Sequence, residues 1–176
     1  MRNILIIGAG RSASSLIQYL LNKSEAENLH LTIGDLSLEL AQRKTNNHKN
    51  ATAIAFDIFD ETQRNIEIRK ADIVISMLPA HMHIEVAKDC IRYKKHMVTA
   101  SYVSDAMQAL DAQAKENNLV FMNEIGLDPG IDHMSAMKII DEIRDQGGKV
   151  ILFESFCGGL VAPESDNNLW NYKFTW

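Results

Sequence analysis

The feature that most constrains this sequence is an apolar run that ends in a glycine-rich turn and leads into a helix. Residues 3–7 are mostly β-branched and apolar on both faces, which is typical of a buried parallel strand. Gly8 and Gly10 follow in a G-x-G-x-x-A pattern, with Ala13 at the third glycine position. Residues 11–22 have helical spacing, so a helix opens at the turn with its free N–H groups exposed. Such a helix start binds anions, most often a dinucleotide pyrophosphate.

An acidic residue stands where a dinucleotide-binding fold would use one. Residues 29–34 are predicted to form a second strand that ends at Asp35, about 22 residues after Ala13. This is near the spacing at which a carboxylate accepts the ribose hydroxyls of NAD. The alternative role of Asp35 is to cap the next helix. Its charge would repel a 2′-phosphate, and no Lys or Arg follows before Arg43. The sequence therefore predicts NAD as the cofactor in preference to NADP.

Strand and helix patterns alternate along most of the chain, with short connections between them. The alternation predicts an α/β fold, a Rossmann-type doubly wound parallel sheet with helices on both faces and strand order 3-2-1-4-5-6. We assign residues 1–123 to this NAD-binding domain. The predicted strands are 3–7, 29–34, 51–56, 71–78, 96–100 and 119–122, and the predicted helices between them are 11–22, 36–47, 61–70, 84–93 and 105–117. A helix over 131–146 and a strand over 150–156 are predicted to follow.

Ligands of a doubly wound sheet bind outside the carboxyl ends of its strands, so the residues just past each strand are the candidate cofactor contacts. Asp57 and Ile58 would lie beside the adenine, although Asp57 is equally suited to cap the helix that begins near Asp60. Leu78 and Pro79 would form an apolar wall under the cofactor, unless Pro79 serves only to terminate its strand. The predicted cofactor contacts are Gly8, Gly10, Arg11, Ser12, Ala13, Asp35, Asp57, Ile58, Leu78, Pro79, Ala100 and Leu127.

Composition narrows the class of protein. A net charge of −5 without any basic tract argues against non-specific nucleic-acid binding. No apolar run approaches the length of a membrane span, and the first residues lead into a strand rather than a signal peptide. The two cysteines, Cys90 and Cys157, do not make a disulfide framework, so the sequence predicts a cytoplasmic protein.

Four other polar residues invite a functional interpretation. His81 and His83 are two residues apart at the start of a helix, which places them on different faces and disfavours a metal pair, so we predict no metal site. His133 would either line a substrate entrance or face solvent. Glu124 is predicted to be a structural acceptor for loop amides.

Several stretches of the chain resemble the glutamate-forming saccharopine dehydrogenases (saccharopine reductases). With the glycine turn they span nearly the whole chain in family order, and NEIGLDPGIDH is a specific signature. Small departures are Val161, where the family commonly has Pro, and Trp170–Asn171. The stretches are residues 98–104 (VTASYVS), 122–134 (MNEIGLDPGIDHM), 157–164 (CGGLVAPE) and 172–176 (YKFTW).

The resemblance implies an NAD(P)-dependent oxidoreductase of lysine metabolism. The reaction oxidises the secondary amine of L-saccharopine, and water then releases L-glutamate and 2-aminoadipate 6-semialdehyde. By position, Ser101 and Tyr102 would contact saccharopine, Asp128 would lie between substrate and nicotinamide, and Cys157 would line the same pocket. Tyr102, Asp128 and Cys157 are therefore the candidate catalytic residues. Each has a structural alternative: Tyr102 in loop packing, Asp128 as a helix N-cap before Pro129, and Cys157 as a small buried hydrophobe.

The family also implies that residues 124–176 are only the start of a substrate and dimerisation domain. The basic residues that clamp the substrate carboxylates would then lie beyond Trp176, and we expect this chain alone to bind cofactor without turnover. The aromatic residues Trp170, Phe174 and Trp176 are a candidate surface for a homodimer. Two other functions stay open: a related imine-forming reductase such as a carboxynorspermidine dehydrogenase, and a non-catalytic NAD-binding module.

Overall fold

The computed structural model describes residues 1–156, in which six strands alternate with helices. Two single turns of 3₁₀ helix, Arg11–Ala13 and Ala80–Met82, precede the first and fourth α-helices. The strands are β1 (Arg2–Ile7), β2 (Leu29–Asp35), β3 (Ala51–Ala55), β4 (Ile73–Ser76), β5 (His96–Thr99) and β6 (Phe121–Met122). The helices are α1 (Ser14–Lys23), α2 (Leu38–Thr45), α3 (Glu61–Lys70), α4 (His83–Tyr93), α5 (Asp105–Gln108), α6 (Asp111–Glu116) and α7 (Ile131–Asp145).

The strands form one parallel sheet with the order β3-β2-β1-β4-β5-β6. This order confirms the predicted topology, and its switch point lies between β1 and β4. The central position of β1 in the sheet explains why its sequence is apolar on both faces. Leu5 and Ile7 pack into the core on one face of the sheet, whereas Ile4 and Ile6 pack into the core on the other. All four side chains are at most 6% exposed.

Local side-chain caps fix where several helices begin. Ser37 accepts a hydrogen bond from the Leu40 N–H at the start of α2. Asp60 accepts one from the Gln63 N–H at the start of α3. Ser104 does the same for the Met107 N–H at the start of α5. Each cap satisfies an N–H group that the helix itself leaves unpaired, so the strand-to-helix loops stay short and the carboxyl edge of the sheet stays well defined.

Two predicted elements differ from the structure. The predicted helix over 105–117 is interrupted between α5 and α6, although Ala109 and Leu110 keep helical backbone angles. The predicted strand over 150–156 has no regular structure. A strand needs a neighbouring strand for its hydrogen bonds, and residues 150–156 pair with none within the part of the chain that is described. Four of their apolar side chains are exposed instead: Ile151 by 91%, Leu152 by 73%, Phe153 by 56% and Phe156 by 88%.

The chain divides into two compact units, Met1–Ile131 and Asp132–Trp176. The first unit holds the whole sheet and both core clusters. The predicted domain boundary at residues 123 and 124 stays a prediction. Among residues 1–156, no helix is both long and apolar enough to cross a membrane.

Candidate active site

The glycine turn joins β1 to the first helical turn at the carboxyl edge of the sheet. Gly8 has φ +107°, and a Cβ there would lie 2.8 Å from the Met77 carbonyl oxygen, so this position requires glycine. Gly10 has φ −64°, is exposed, and has no atom within 4 Å of the place a Cβ would occupy. Ala13 is 1% exposed and belongs to the core, where a small residue lets the helix approach the sheet closely. The turn therefore presents bare backbone to open space.

Asp35 lies beside this turn at the end of β2, and both of its carboxylate oxygens accept backbone hydrogen bonds. Oδ2 accepts from the Ala9 N–H at 2.7 Å, and Oδ1 accepts from the Ser37 N–H at 2.9 Å. Ser37 caps α2, so the alternative prediction that Asp35 caps this helix is wrong. The carboxylate instead ties the glycine turn to the β2–α2 loop, and this tie holds both loops at the sheet edge.

An apolar cleft of about 210 Å³ opens next to the turn. Gly8 and Asp35 line the cleft together with Leu78 and Pro79, the two residues predicted to form an apolar wall. Ile58, another predicted cofactor contact, also lines the cleft. Six residues that were not predicted as contacts complete the lining: Ile7, Gly34, Leu36, Phe56, Phe59 and Met82. Large apolar side chains around a few polar groups are what a planar ring of a cofactor binds.

The β3–α3 loop beside this cleft is held by a buried ion pair. The Arg64 Nε donates to Asp89 Oδ2 at 2.5 Å, and both side chains are 8% exposed. Arg64 Nη1 also donates to the Ile58 carbonyl at 2.5 Å, which fixes Ile58 in the cleft wall. The Asp57 carboxylate accepts from the Phe59 N–H at 2.9 Å and does not cap α3, because Asp60 takes that role. Of the two residues, the structure brings Ile58 to the cleft.

A second cavity, of about 400 Å³, lies past the end of β5. It is lined by Ser101, Tyr102 and Asp128, which are the candidate substrate residues, and by Ala80, Ala100, Val103, Ser104 and Pro129. The Tyr102 hydroxyl donates to Asp128 Oδ1 at 2.8 Å. Tyr102 is 62% exposed, so it does not serve loop packing alone. Residues 26 apart in sequence thus form one polar pair on the cavity wall.

The loop that carries Asp128 is a compact turn. Gly130 has φ +148°, and a Cβ there would lie 2.2 Å from the Gly126 carbonyl oxygen. The Gly126 N–H donates to the Pro129 carbonyl at 2.8 Å. Glu124 accepts from the Val103 N–H at 3.0 Å, which confirms its prediction as an acceptor for loop amides. The loop is therefore fastened to the same segment that carries Tyr102.

The remaining residues singled out from the sequence line neither of the two cavities or lie outside the described part of the chain. Arg11 and Ser12 are exposed on the turn, and Leu127 is 51% exposed and lines neither cavity. The His133 side chain is 66% exposed and contacts the Asp132 carboxylate at 2.7 Å. Cys157 and the aromatic residues Trp170, Phe174 and Trp176 lie outside the described residues. Cys90 is 0% exposed in α4, where burial raises the pKa of its thiol, and it belongs to the core.

Two polar contacts near the site were missed by sequence reasoning. Lys44 of α2 is half-buried, and its ammonium donates to Ser14 Oγ at the start of α1. Arg43, the first cation after Asp35 in the sequence, is instead paired with Glu39 at the surface. His83 is 3% exposed and contacts Ser101. No spacing rule reveals either contact, because each one joins separate βα units.

Comparison with known proteins gives the family. A model described as the saccharopine dehydrogenase NADP binding domain matches residues 4–122, and one described as the saccharopine dehydrogenase C-terminal domain matches residues 126–176. A Pyricularia oryzae saccharopine dehydrogenase, described as NADP(+)-dependent and L-glutamate-forming, is 42% identical over 99% of this chain. An Arabidopsis thaliana alpha-aminoadipic semialdehyde synthase is 37% identical over 98% of this chain.

The structure of apo saccharopine dehydrogenase (L-Glu forming) from Saccharomyces cerevisiae also matches, with 38% identity and a TM-score of 0.83 over 100% of this chain. The chain spans only part of these proteins: 38% of the Pyricularia sequence, 18% of the Arabidopsis sequence and 39% of the yeast chain.

These comparisons overturn the prediction of NAD in preference to NADP. The matching family model is an NADP binding domain, and the fungal relatives are described as NADP(+)-dependent. The prediction rested on the charge of Asp35 and on a search for cations along the sequence. It took no account of the two N–H groups that bind the carboxylate, nor of Lys44, which folding brings to the start of α1.

The recognition made from four motifs is confirmed, since both family models match in order and the identity extends along the chain. The six-stranded parallel sheet agrees with the same assignment. The chain belongs to the saccharopine dehydrogenase family.

Proposed function

We propose that this chain binds NADP(H) at the carboxyl edge of its sheet and supplies the cofactor site of an L-glutamate-forming saccharopine dehydrogenase. The observation that carries the proposal is the placement of two features at one sheet edge. The glycine turn opens beside an apolar cleft after β1 and β2, and the Tyr102–Asp128 pair lines a cavity after β5. Family membership supplies the reaction class, because the fungal relatives are described as saccharopine dehydrogenases.

The residues present fit a dinucleotide. The open space beside Gly10 lets a pyrophosphate approach the free N–H groups that begin the helix. Phe56, Ile58 and Pro79 give the cleft apolar walls. Lys44 supplies a positive charge near the glycine turn that would attract the 2′-phosphate of NADP. Asp35 supplies a negative charge that would repel it. When bound, NADP⁺ supplies a hydride acceptor for the carbon that carries the secondary amine of saccharopine.

The chain's own residues would bind and orient the substrate. An ionised carboxylate has two oxygens with about four acceptor sites, so Asp128 can accept from Tyr102 and from a substrate N–H at once. Ser101 can hold a substrate carboxylate through its hydroxyl. Holding the reacting carbon in place supplies much of the rate in such a site. Cys157 remains a proposed pocket residue from the family pattern alone.

We further infer that this chain alone binds cofactor without oxidising saccharopine. None of the described residues that line the 400 Å³ cavity is Lys or Arg. The carboxylates of saccharopine need cationic partners to be held in a fixed orientation. A module that binds NADP(H) without turnover is therefore the second function that the structure favours for these 176 residues. The cytoplasmic location and the homodimer stay predictions.

The experiment uses two proteins. One is the 176-residue chain, and the other is a fusion of this chain to the segment of the Pyricularia relative that follows the matched region. We expect the chain alone to enhance NADPH fluorescence and to form no NADPH from saccharopine and NADP⁺, whereas the fusion forms it. Absence of any fluorescence change with the folded chain would overturn the cofactor proposal. Turnover by the chain alone would overturn the inference that it only binds cofactor, and an NADPH-binding fusion without turnover would overturn the saccharopine assignment.

A further inference from the structure

His83 is a buried polar residue in contact with Ser101, which lines the 400 Å³ cavity. It is the first residue of α4 and is 3% exposed, and its ring lies between the carboxyl ends of β4 and β5. Ser76, the last residue of β4, and Thr99, the last residue of β5, are buried beside it. Apolar residues are more common than histidine at positions as buried as this one, so a specific role of the imidazole is worth considering.

Three hydroxyl groups surround the two ring nitrogens. Nδ1 lies 2.8 Å from Ser76 Oγ, and Nε2 lies 2.7 Å from Ser101 Oγ and 3.1 Å from Thr99 Oγ1. Burial, and to a lesser degree the charge of His81, lowers the pKa of His83, so the ring is neutral near pH 7. A neutral imidazole has one donor and one acceptor, and hydroxyls can meet either one.

We propose that His83 is a positioning residue that fixes the Ser101 hydroxyl for the substrate. The inference rests on the proposed function, because Ser101 lines the cavity assigned to saccharopine. A serine hydroxyl without a partner rotates among three staggered positions. The short contact to Nε2 selects one of them, and Ser76 and Thr99 hold the ring so that it cannot follow the serine. His83 acts only through Ser101 and does not touch the substrate.

The alternative is that His83 only ties β4 to β5, and two substitutions separate the two roles. In His83→Asn the short amide can occupy the place of Nδ1 and keep the contact to Ser76, but it loses the contact to Ser101. In His83→Gln the longer amide can reach the place of Nε2 and keep the contact to Ser101. A purely structural tie between the strands needs both Ser76 on β4 and Thr99 on β5, so it predicts that the two substitutions have similar effects. His81→Asn, two residues away and exposed, is the matched control.

The kinetic test uses the fusion protein with saccharopine and NADP⁺. We expect His83→Asn to raise KM for saccharopine about tenfold, the usual effect of losing a hydrogen bond that holds a charged group, with kcat changed little. His83→Gln restores KM, and His81→Asn leaves it unchanged. In a Ser101→Ala background, His83→Asn has no further effect, because it acts through that hydroxyl. An unchanged KM in His83→Asn, or the same increase in the Ser101→Ala background, would overturn the inference.

A second measurement on the 176-residue chain does not depend on turnover. In ¹⁵N NMR spectra of the histidine rings, Ser101→Ala is expected to shift the Nε2 signal of His83 and to leave its Nδ1 signal in place. The NADPH affinity of this variant stays that of the parent. An unmoved Nε2 signal would refute the contact, whatever the fusion protein does. Loss of NADPH binding by the parent chain would instead refute the proposed function.

Discussion

The Tyr102 hydroxyl donates to Asp128 Oδ1 at 2.8 Å, and this bond connects the loop after β5 to the loop after β6. The two residues are 26 positions apart, and both line the 400 Å³ cavity. Each had a structural alternative on sequence grounds. Their direct contact on a cavity wall favours a joint role in holding the substrate.

Removing the Tyr102 hydroxyl tests this role. Tyr102→Phe is expected to lower kcat/KM of the fusion protein for saccharopine roughly tenfold, because Asp128 loses the donor that orients it. NADPH binding by the 176-residue chain should not change. Tyr19→Phe is the matched control, since Tyr19 and Tyr102 are both 62% exposed. Equal kinetics for Tyr102→Phe and Tyr19→Phe would contradict the assignment.

Substitutions at Gly8 and Gly10 should affect different properties, the first the stability of the chain and the second its affinity for NADPH. Gly8→Ala places a methyl group 2.8 Å from the Met77 carbonyl oxygen at φ +107°, so it should lower the free energy of unfolding by about 1–3 kcal/mol or more. Gly10→Ala meets no neighbouring atom and should leave stability nearly unchanged. It should weaken NADPH binding roughly tenfold, because the methyl group fills the space in which the pyrophosphate approaches. Denaturant unfolding and NADPH fluorescence measure the two effects. Full NADPH affinity in a folded Gly10→Ala variant would argue against the pyrophosphate site.

The charge of Asp35 should affect the two nicotinamide cofactors differently. Asp35→Asn keeps an oxygen that can accept from the Ala9 N–H but removes the negative charge that would face a 2′-phosphate in the proposed cofactor site. The ratio of NADPH affinity to NADH affinity should rise about tenfold, as Coulomb's law gives for charges several ångströms apart near a protein surface. Titrations of the 176-residue chain with each cofactor measure the ratio. An unchanged ratio would place the 2′-phosphate away from this carboxylate.

The buried ion pair behind the cleft should matter far more than one at the surface. Asp89→Ala leaves the Arg64 charge buried without its carboxylate partner and should cost about 3–5 kcal/mol of stability. Glu85→Ala in the same helix removes an exposed pair with Lys88 and should cost at most about 0.5–1 kcal/mol. Urea unfolding gives both values. If the two substitutions cost the same, Arg64 is not held in the core as described.

His83 should make stability depend on pH. Its pKa in the folded state is lowered below 6.5, so at acidic pH the unfolded chain binds a proton that the folded chain does not. The free energy of unfolding is therefore expected to fall as pH drops below about 6.5, by at most about 1.4 kcal/mol per pH unit from this group. His83→Gln should remove this part of the slope, whereas His133→Asn, at an exposed position, should keep it. Urea unfolding at several pH values compares the three proteins, and an identical slope for His83→Gln would contradict the prediction.

Local sequence patterns determined the sheet and its order. The two-sided apolar residues of β1, the glycine turn and the regular alternation of strands with helices depend on short-range preferences and on burial, both of which are written in consecutive residues. The strand order follows from alternation, because right-handed crossovers leave few other arrangements. The family motifs also named Ser101, Tyr102 and Asp128, but a motif states which residues matter and not what they contact.

Only the tertiary structure decided the contacts among βα units. The bonds from Ala9 to Asp35, from Lys44 to Ser14 and from His83 to Ser101 join residues on different strands and helices, and no sequence period encodes them. For this reason the charge of Asp35 was given too much weight for the cofactor, and His83 was considered only as a poor metal ligand. In segment 150–156, by contrast, the sequence predicts an element that does not form. Its apolar run is typical of a strand, but a strand forms only where a neighbouring strand pairs with its backbone hydrogen-bonding groups.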